Sequence, residues 1–310
     1  MENEIKVRVV ENLSNDAYHN GDEWRDYWSS SNLKVLKDQS PRIAKYKKKN
    51  AKNEPTPAMV FGTQVHDFLA SKHRNGQKFD YQIFNMPLKN DGSEYASPRA
   101  SKAYKALVAK IENPMDSEQF EIIKDIWDMI LDSAYRYKFE SYLLVSGAVE
   151  LSVFVHFNGF KYKSRYDLTA NEIYDYKTIN QANFTERGRV AQMNSFGYAI
   201  SAAMYQWIEF LRTGMWKKFI LIWIMKEAPY DVLFVDISAH CYLPIEDGKD
   251  MVKGPDAILF EKIKDQYEAC VTADCYPGES ARYDGDIQES SPSHWDTGEY
   301  LEYEIAENQF

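Results

Sequence analysis

RYDLTANEIYDYK, Arg165–Lys177, is the stretch on which the reading of this chain turns. Its second half, EIYDYKT (Glu172–Thr178), reads as a strand, so Asp175 and Lys177, two residues apart, project from the same face. Asp167 ends the strand before it, and the turn at Ala170-Asn171 lets the chain fold back and bring Asp167 beside Asp175. Two carboxylates converging on one point repel each other unless a cation sits between them. Hard oxygen donors select Mg²⁺, with Mn²⁺ able to substitute. A lysine alongside can orient or deprotonate an attacking water and steady the charge on a phosphate. The set suits metal-assisted hydrolysis of a phosphodiester. A lone D-x-K on an edge strand is more often a solvated face, so the surrounding sequence has to carry part of the argument.

Working outward, Ala148–Phe157 (AVELSVFVHF) alternates with a period of two. Asn158-Gly159 is a hairpin signal, and Phe160–Leu168 (FKYKSRYDL) is the returning strand. A long helix from Arg189 to Leu211 follows the D-x-K strand. Strands at Trp216–Met225 and Val232–Asp236 flank a turn at Pro229, and Ala257–Thr272 is a last helix. Upstream, the first thirty residues read as loops. Ser30 or Ser31 caps a helix carrying Leu33, Val35 and Leu36, and Ser40-Pro41 ends it. A basic helix Arg42–Lys52 follows, then helices at Ala58–Lys72, Pro98–Glu112 and Asp116–Lys138. The order implies an α/β fold, a mixed central sheet flanked by helices, with a helical N-terminal part. The expected division is an N-terminal segment with the basic helix (1–57), a core (58–273) and an acidic tail (274–310).

Of 310 residues 44% are apolar, enough for a sizeable core, and no run approaches the ~18 apolar residues of a membrane span. The N-terminus lacks the apolar centre of a signal peptide. Three cysteines, Cys241, Cys270 and Cys275, with no export signal fit a reducing cytoplasm, and their spacing matches no recognised zinc pattern. The net charge of −10 weighs against a simple nucleic-acid binder. It is unevenly spread, however. Arg42–Lys52 holds six basic residues and no acid, and Asp274 onward holds ten acids and one Arg.

Six segments taken in order carry a family resemblance: SSSNLKVLKDQSP (Ser29–Pro41), FGTQVH (Phe61–His66), AVELSVF (Ala148–Phe154), YKSRYDL (Tyr162–Leu168), YDYKT (Tyr174–Thr178) and FGYAISAAMY (Phe196–Tyr205). Together they resemble the RecE-like exonucleases of phages and prophages, a branch of the PD-(D/E)xK nucleases. The resemblance implies a PD-(D/E)xK core whose site is His66, Glu150, Asp167, Asp175 and Lys177. His66 and the two aspartates would be metal ligands, and Glu150 a carboxylate on the metal or the water. Arg165 is a candidate phosphate contact, and Ser201 and Tyr205 candidate DNA-positioning residues. Two departures stand out. Tyr166 replaces the usual proline before the first aspartate, and Ser201 replaces a glutamine, whose paired amide bonds a hydroxyl cannot make. Three cysteines cannot supply the four-cysteine iron–sulfur cluster of some RecB-like relatives. The resemblance also implies 5′→3′ digestion of double-stranded DNA ends in recombination or phage DNA processing, a single-strand annealing partner, a bacterial host cytoplasm, and a ring of three or four subunits. Lys47, Lys48 and Lys49 are candidates for the inner, DNA-facing surface of such a ring. The alternative is a catalytically weak fold of the same type that binds DNA or a protein.

Overall fold

The hairpin signalled by Asn158-Gly159 is the spine of the fold. Asn158 and Gly159 both take positive φ (50° and 92°), the conformation a two-residue turn needs to match strand twist. They join β4 (Ala148–Phe157) to β5 (Phe160–Thr169). In this computed structural model, which describes residues 4–50, 55–73, 76, 78–132 and 147–279, the pair lies within a six-stranded sheet. The other strands are β1 (Ile5–Val10), β6 (Ile173–Ile179), β7 (Phe219–Met225) and β8 (Val232–Asp236), in spatial order β1-β4-β5-β6-β7-β8. Only β6 and β7 run parallel; the remaining neighbours are antiparallel, so the sheet is mixed. FILIWIM of β7 is buried at every position, as a central strand covered on both faces requires.

Helices cover both faces. On one pack α2 (Ser30–Asp38), α8 (Tyr198–Thr213) and α9 (Pro255–Thr272), in a core that includes Leu33, Leu151, Val153, Tyr166, Ala203 and Phe260. On the other, α4 (Pro57–Lys72) and α6 (Ser117–Asp132) enclose Val65, Leu69, Ile126, Val149, Leu168 and Tyr176. Among the described residues the remaining α-helices are α1 (Asn15–Asn20), α3 (Pro41–Asn50), α5 (Lys102–Val108) and α7 (Glu186–Phe196). Two small sheets pair β2 (Gln82–Phe84) with β3 (Pro114–Asp116), and β9 (Tyr242–Ile245) with β10 (Asp250–Lys253).

Several expectations need correction. The first thirty residues are not loops throughout, since β1 extends the sheet along β4 and α1 follows it. Ser29, not Ser30 or Ser31, caps α2, and the Asn32 side chain accepts from its N–H at 3.0 Å. The expected helix Arg189–Leu211 is two helices. Gly197 takes φ 59°, ψ 44°, a left-handed conformation that ends α7 and redirects the chain into α8. Within Pro98–Glu112 only a short 3₁₀ turn and α5 form. The strand expected from Trp216 begins at Phe219, and the hairpin of β9 and β10 carries little sequence signal, each strand being four residues long and β9 containing Pro244. The continuations of α3 to Lys52 and α6 to Lys138, and most of the acidic tail, lie outside the described residues.

Candidate active site

The β4–β5 ladder is continuous on either side of one rung. Val149 pairs with Leu168 and Leu151 with Tyr166, which sets Glu150 opposite Asp167. Glu150 takes φ 49°. At this rung both strands change the core they face: Leu151 and Tyr166 belong to the α8 side, Val149 and Leu168 to the α4 side. Strict alternation would keep residues two apart on one face, so the left-handed residue breaks the pleat where the carboxylates sit. Beyond the rung, β5 and β6 pair only at Leu168–Tyr174 and Thr169–Ile173. They then splay, and Asp167 Oδ2 accepts from Tyr176 N–H at 2.8 Å in place of a ladder bond. The register of β6 is held from its other edge by seven parallel pairs with β7.

Into the splay comes His66 from the middle of α4, a helix begun by Thr56, whose hydroxyl accepts from Met59 N–H, with Pro57 at its first turn. His66 Nδ1 lies 3.4 Å from Asp167 Oδ2. His66, Glu150 and Asp167 each offer one ligand atom, and the three atoms lie within 4.8 Å of one another. Asp175 pairs with Lys177, whose ammonium also donates to Tyr176 O at 3.1 Å and lies 5.1 Å from the Tyr198 ring centre.

The charges report crowding. Burial, then repulsion from Asp167, pushes the Glu150 carboxyl up to about 7. Burial and Asp167 likewise raise Asp175. Asp167 goes the other way: burial opposes its ionisation, but the His66 charge and hydrogen bond, Lys177 and the Tyr176 N–H carry it down to about 2. Burial would lower His66, yet Asp167 lifts it to about 9. Lys177 is also raised, burial notwithstanding, by Asp175 and Asp167. Protons and buried lysine thus hold together a set of acids that would otherwise repel. Two carboxylates and an imidazole converging from three elements, with a third carboxylate beside them, fit a divalent cation with oxygen and nitrogen ligands.

The profile of a PDDEXK-like domain of unknown function, DUF3799, matches residues 29–255. The chain belongs to the DUF3799 family. The match takes in His66, Glu150, Asp167, Asp175 and Lys177 and every strand from β2 to β10. No curated protein matches the chain. Among solved structures, this DUF3799 chain is similar to a protein from Eubacterium rectale described as a "putative exonuclease". The TM-score is 0.54 at 15% identity, over 93% of this chain and 98% of that one, a likeness of fold.

The other sequence-derived candidates of the DUF3799 chain are placed differently. Arg165 is spent internally: its guanidinium donates to Ser152 Oγ (3.0 Å), Leu13 O (2.8 Å) and Ser14 O (3.3 Å), lies over Tyr18, and stands 3.8 Å from Glu150. Ser201 donates to Gly197 O of its own helix. Tyr205 packs edge-on against Tyr166, which donates to the Tyr205 carbonyl, and shares a hydrogen bond with Ser30. Lys48 turns inward to Arg25 O and Tyr27 O, both at 2.7 Å, and burial holds it down to about 8. Lys47 and Lys49 line two separate surface cavities.

Sequence spacing passed over two residues. Gln192 lies nine residues before Ser201 in the chain, but the turn at Gly197 swings α7 back. Its amide donates to Thr178 O, next to Lys177 on β6, and to the Tyr198 hydroxyl, at 3.3 and 3.4 Å. Lys34, from α2, lies within electrostatic reach of Lys177 and Asp175. Gln206, the other glutamine near Tyr205, is buried on Lys217 O and Tyr242 O.

Proposed function

We propose that this protein is a metal-dependent DNA exonuclease that hydrolyses phosphodiester bonds from double-stranded ends. The observation that carries the reading is the convergence of His66, Glu150 and Asp167 within 4.8 Å, beside the Asp175–Lys177 pair, in a chain of a PDDEXK-like family. His66, Asp167 and Asp175 would hold Mg²⁺ or Mn²⁺, with Glu150 on the metal or its water. Bound there, the cation supplies activation of water and neutralisation of charge on the phosphate. The chain's own contribution is placement. Tyr176 N–H fixes one Asp167 oxygen, and the break at Glu150 aims its carboxyl into the same space. Lys177, raised by its acidic neighbours, stays cationic at neutral pH. In that state it can steady phosphate charge and orient the attacking water.

The 5′→3′ polarity, the role in recombination or phage DNA processing, the annealing partner, the ring of three or four subunits and the cytoplasmic setting are proposed on the RecE-like resemblance. A ring has a physical attraction for a chain of net charge −10, because encirclement replaces an electrostatic hold that salt weakens steeply. A catalytically weak binding module is favoured by Ser201, whose hydroxyl is spent on its own helix. Against it stand Asp167, Asp175 and Lys177, all present at the site. Incubation of linear and covalently closed plasmid with Mg²⁺, Mn²⁺ or EDTA tests the reading. Loss of the linear substrate alone, and only with metal, is expected. Equal rates on both substrates exclude end dependence, and no metal-dependent loss of either leaves the binding module.

A further inference from the structure

Beside the candidate active site, between α2 and the corner where α7 turns into α8, lies a groove of about 260 Å³. Its walls include Ser31, Lys34, Lys37, Lys47, Asn194 and Phe196, three ammonium groups against the one carboxylate of Asp38. Lys34 anchors it to the corner, donating to Phe196 O at 2.7 Å. Phe196 is 58% exposed. Its ring stacks on Tyr198 at 5.6 Å and 18°, and Tyr198 in turn lies 5.1 Å from Lys177 Nζ. A stack of two rings therefore runs from the catalytic ammonium to the surface, and it ends on an aromatic left in water.

We propose that this groove holds one unpaired DNA strand, its phosphates against Lys34, Lys37 and Lys47 and one base stacked on Phe196. The inference rests on the nuclease reading of the adjoining cleft and names the form of substrate presented to it. Cations recognise phosphate in any nucleic acid. The ring is what selects: stacking is sequence-tolerant because every base has a π-face. Inside a duplex both faces of a base are covered by its neighbours, so an internal base must leave the helix to lie on Phe196, and an unpaired strand offers one at no such cost. The stack on Tyr198 would set that strand beside Lys177.

The test is binding of the full chain, in EDTA so that nothing is cut, to a short fluorescent single strand and to the same strand carrying abasic sites. Phe196 is at the exposed end of α7, so Phe196→Ala leaves the core untouched. It is expected to weaken binding of the intact strand by about five- to 150-fold, the range of one base–aromatic stack, and to leave the abasic strand unchanged. Phe196→Trp should restore the preference for the intact strand. Lys37→Gln with Lys47→Gln should weaken both strands and flatten the salt dependence. The proposal is overturned if wild type does not bind the intact strand, if Phe196→Ala binds it normally, or if that variant loses intact and abasic strands alike. Plasmid digestion is scored separately: no cleavage in Mg²⁺ with intact Phe196-dependent binding removes the nuclease reading and leaves the groove.

Discussion

Glu150 and Asp167 stand opposite each other across the β4–β5 ladder, at the rung where both strands change the core they face. Like charges directly opposite each other destabilise a sheet. Here the pair is kept by His66, by the Tyr176 N–H and by protons, so removal of the protons should be felt as strain unless a cation replaces them.

The first prediction concerns pH. Glu150 is raised from 4.5 to about 7 and His66 from 6.5 to about 9, and Asp175 is raised too. A raised folded pKa gives stability that is full below the unfolded value and lost as pH passes the folded one. The stability these site groups contribute to the metal-free protein should therefore fall progressively between about pH 4.5 and 9, while His19, lowered from 6.5 to about 4, acts in the opposite sense below about pH 6.5. Asp167, lowered to about 2, acts oppositely and matters only below about pH 4. Thermal melts should show Mg²⁺ or Mn²⁺ stabilising far more at pH 8 than at pH 5. Equal effects at the two values would contradict the assignment.

Glu150→Gln should remove the repulsion while keeping the shape. We expect a metal-free melting temperature at pH 8 at or above that of wild type, with cleavage reduced by about 100-fold or more. Melting and plasmid digestion on the same preparation check this, and a variant that keeps full activity would remove Glu150 from the site.

Lys177→Ala and Asp175→Ala should separate two roles. Lys177→Ala is expected to cost about 10²–10³ in rate, the scale of losing one group that stabilises a developing negative charge, while metal still binds by calorimetry. Asp175→Ala should abolish cleavage and weaken metal binding in a folded protein, as shown by circular dichroism. Near wild-type turnover in either variant would show the role to be misassigned.

Lys48 should behave unlike its neighbours. Its ammonium is held by two carbonyls, so Lys48→Met is expected to lower stability by about 1–3 kcal/mol with little change in DNA affinity. Lys47→Gln should do the reverse. Denaturant melts beside filter binding at two salt concentrations distinguish them.

Where local chemistry decided the outcome, the sequence was legible. Asn158-Gly159 and the apolar FILIWIM specify hairpin and central strand on their own, whereas the alternation of AVELSVFVHF gives the strand but not its burial on both faces from Leu151 to Val155. Asp175 and Lys177 share a face because strand periodicity leaves no choice. Long-range pairing was less visible. Ile5–Val10 becomes a strand because the edge of β4 is there to receive it, a partner more than 140 residues away in the chain. Gly197 read as an interior helix residue until its positive φ turned the chain, and that turn is what brings Gln192 to Thr178. Arg165 and Lys48 looked like phosphate contacts because a list of charges does not show which are already hydrogen-bonded to backbone.

The Tyr176 amide has a further use. Its proton is held by an Asp167 side-chain oxygen, in a stretch where β6 has left β5. An amide of this kind exchanges with solvent when a carboxylate lets go, not when a strand unzips. Its resonance in a ¹⁵N-labelled sample is therefore an internal gauge of Asp167. Titrating a cation or an oligonucleotide while following that single peak would record what happens at the centre of the cleft, with no label placed inside it.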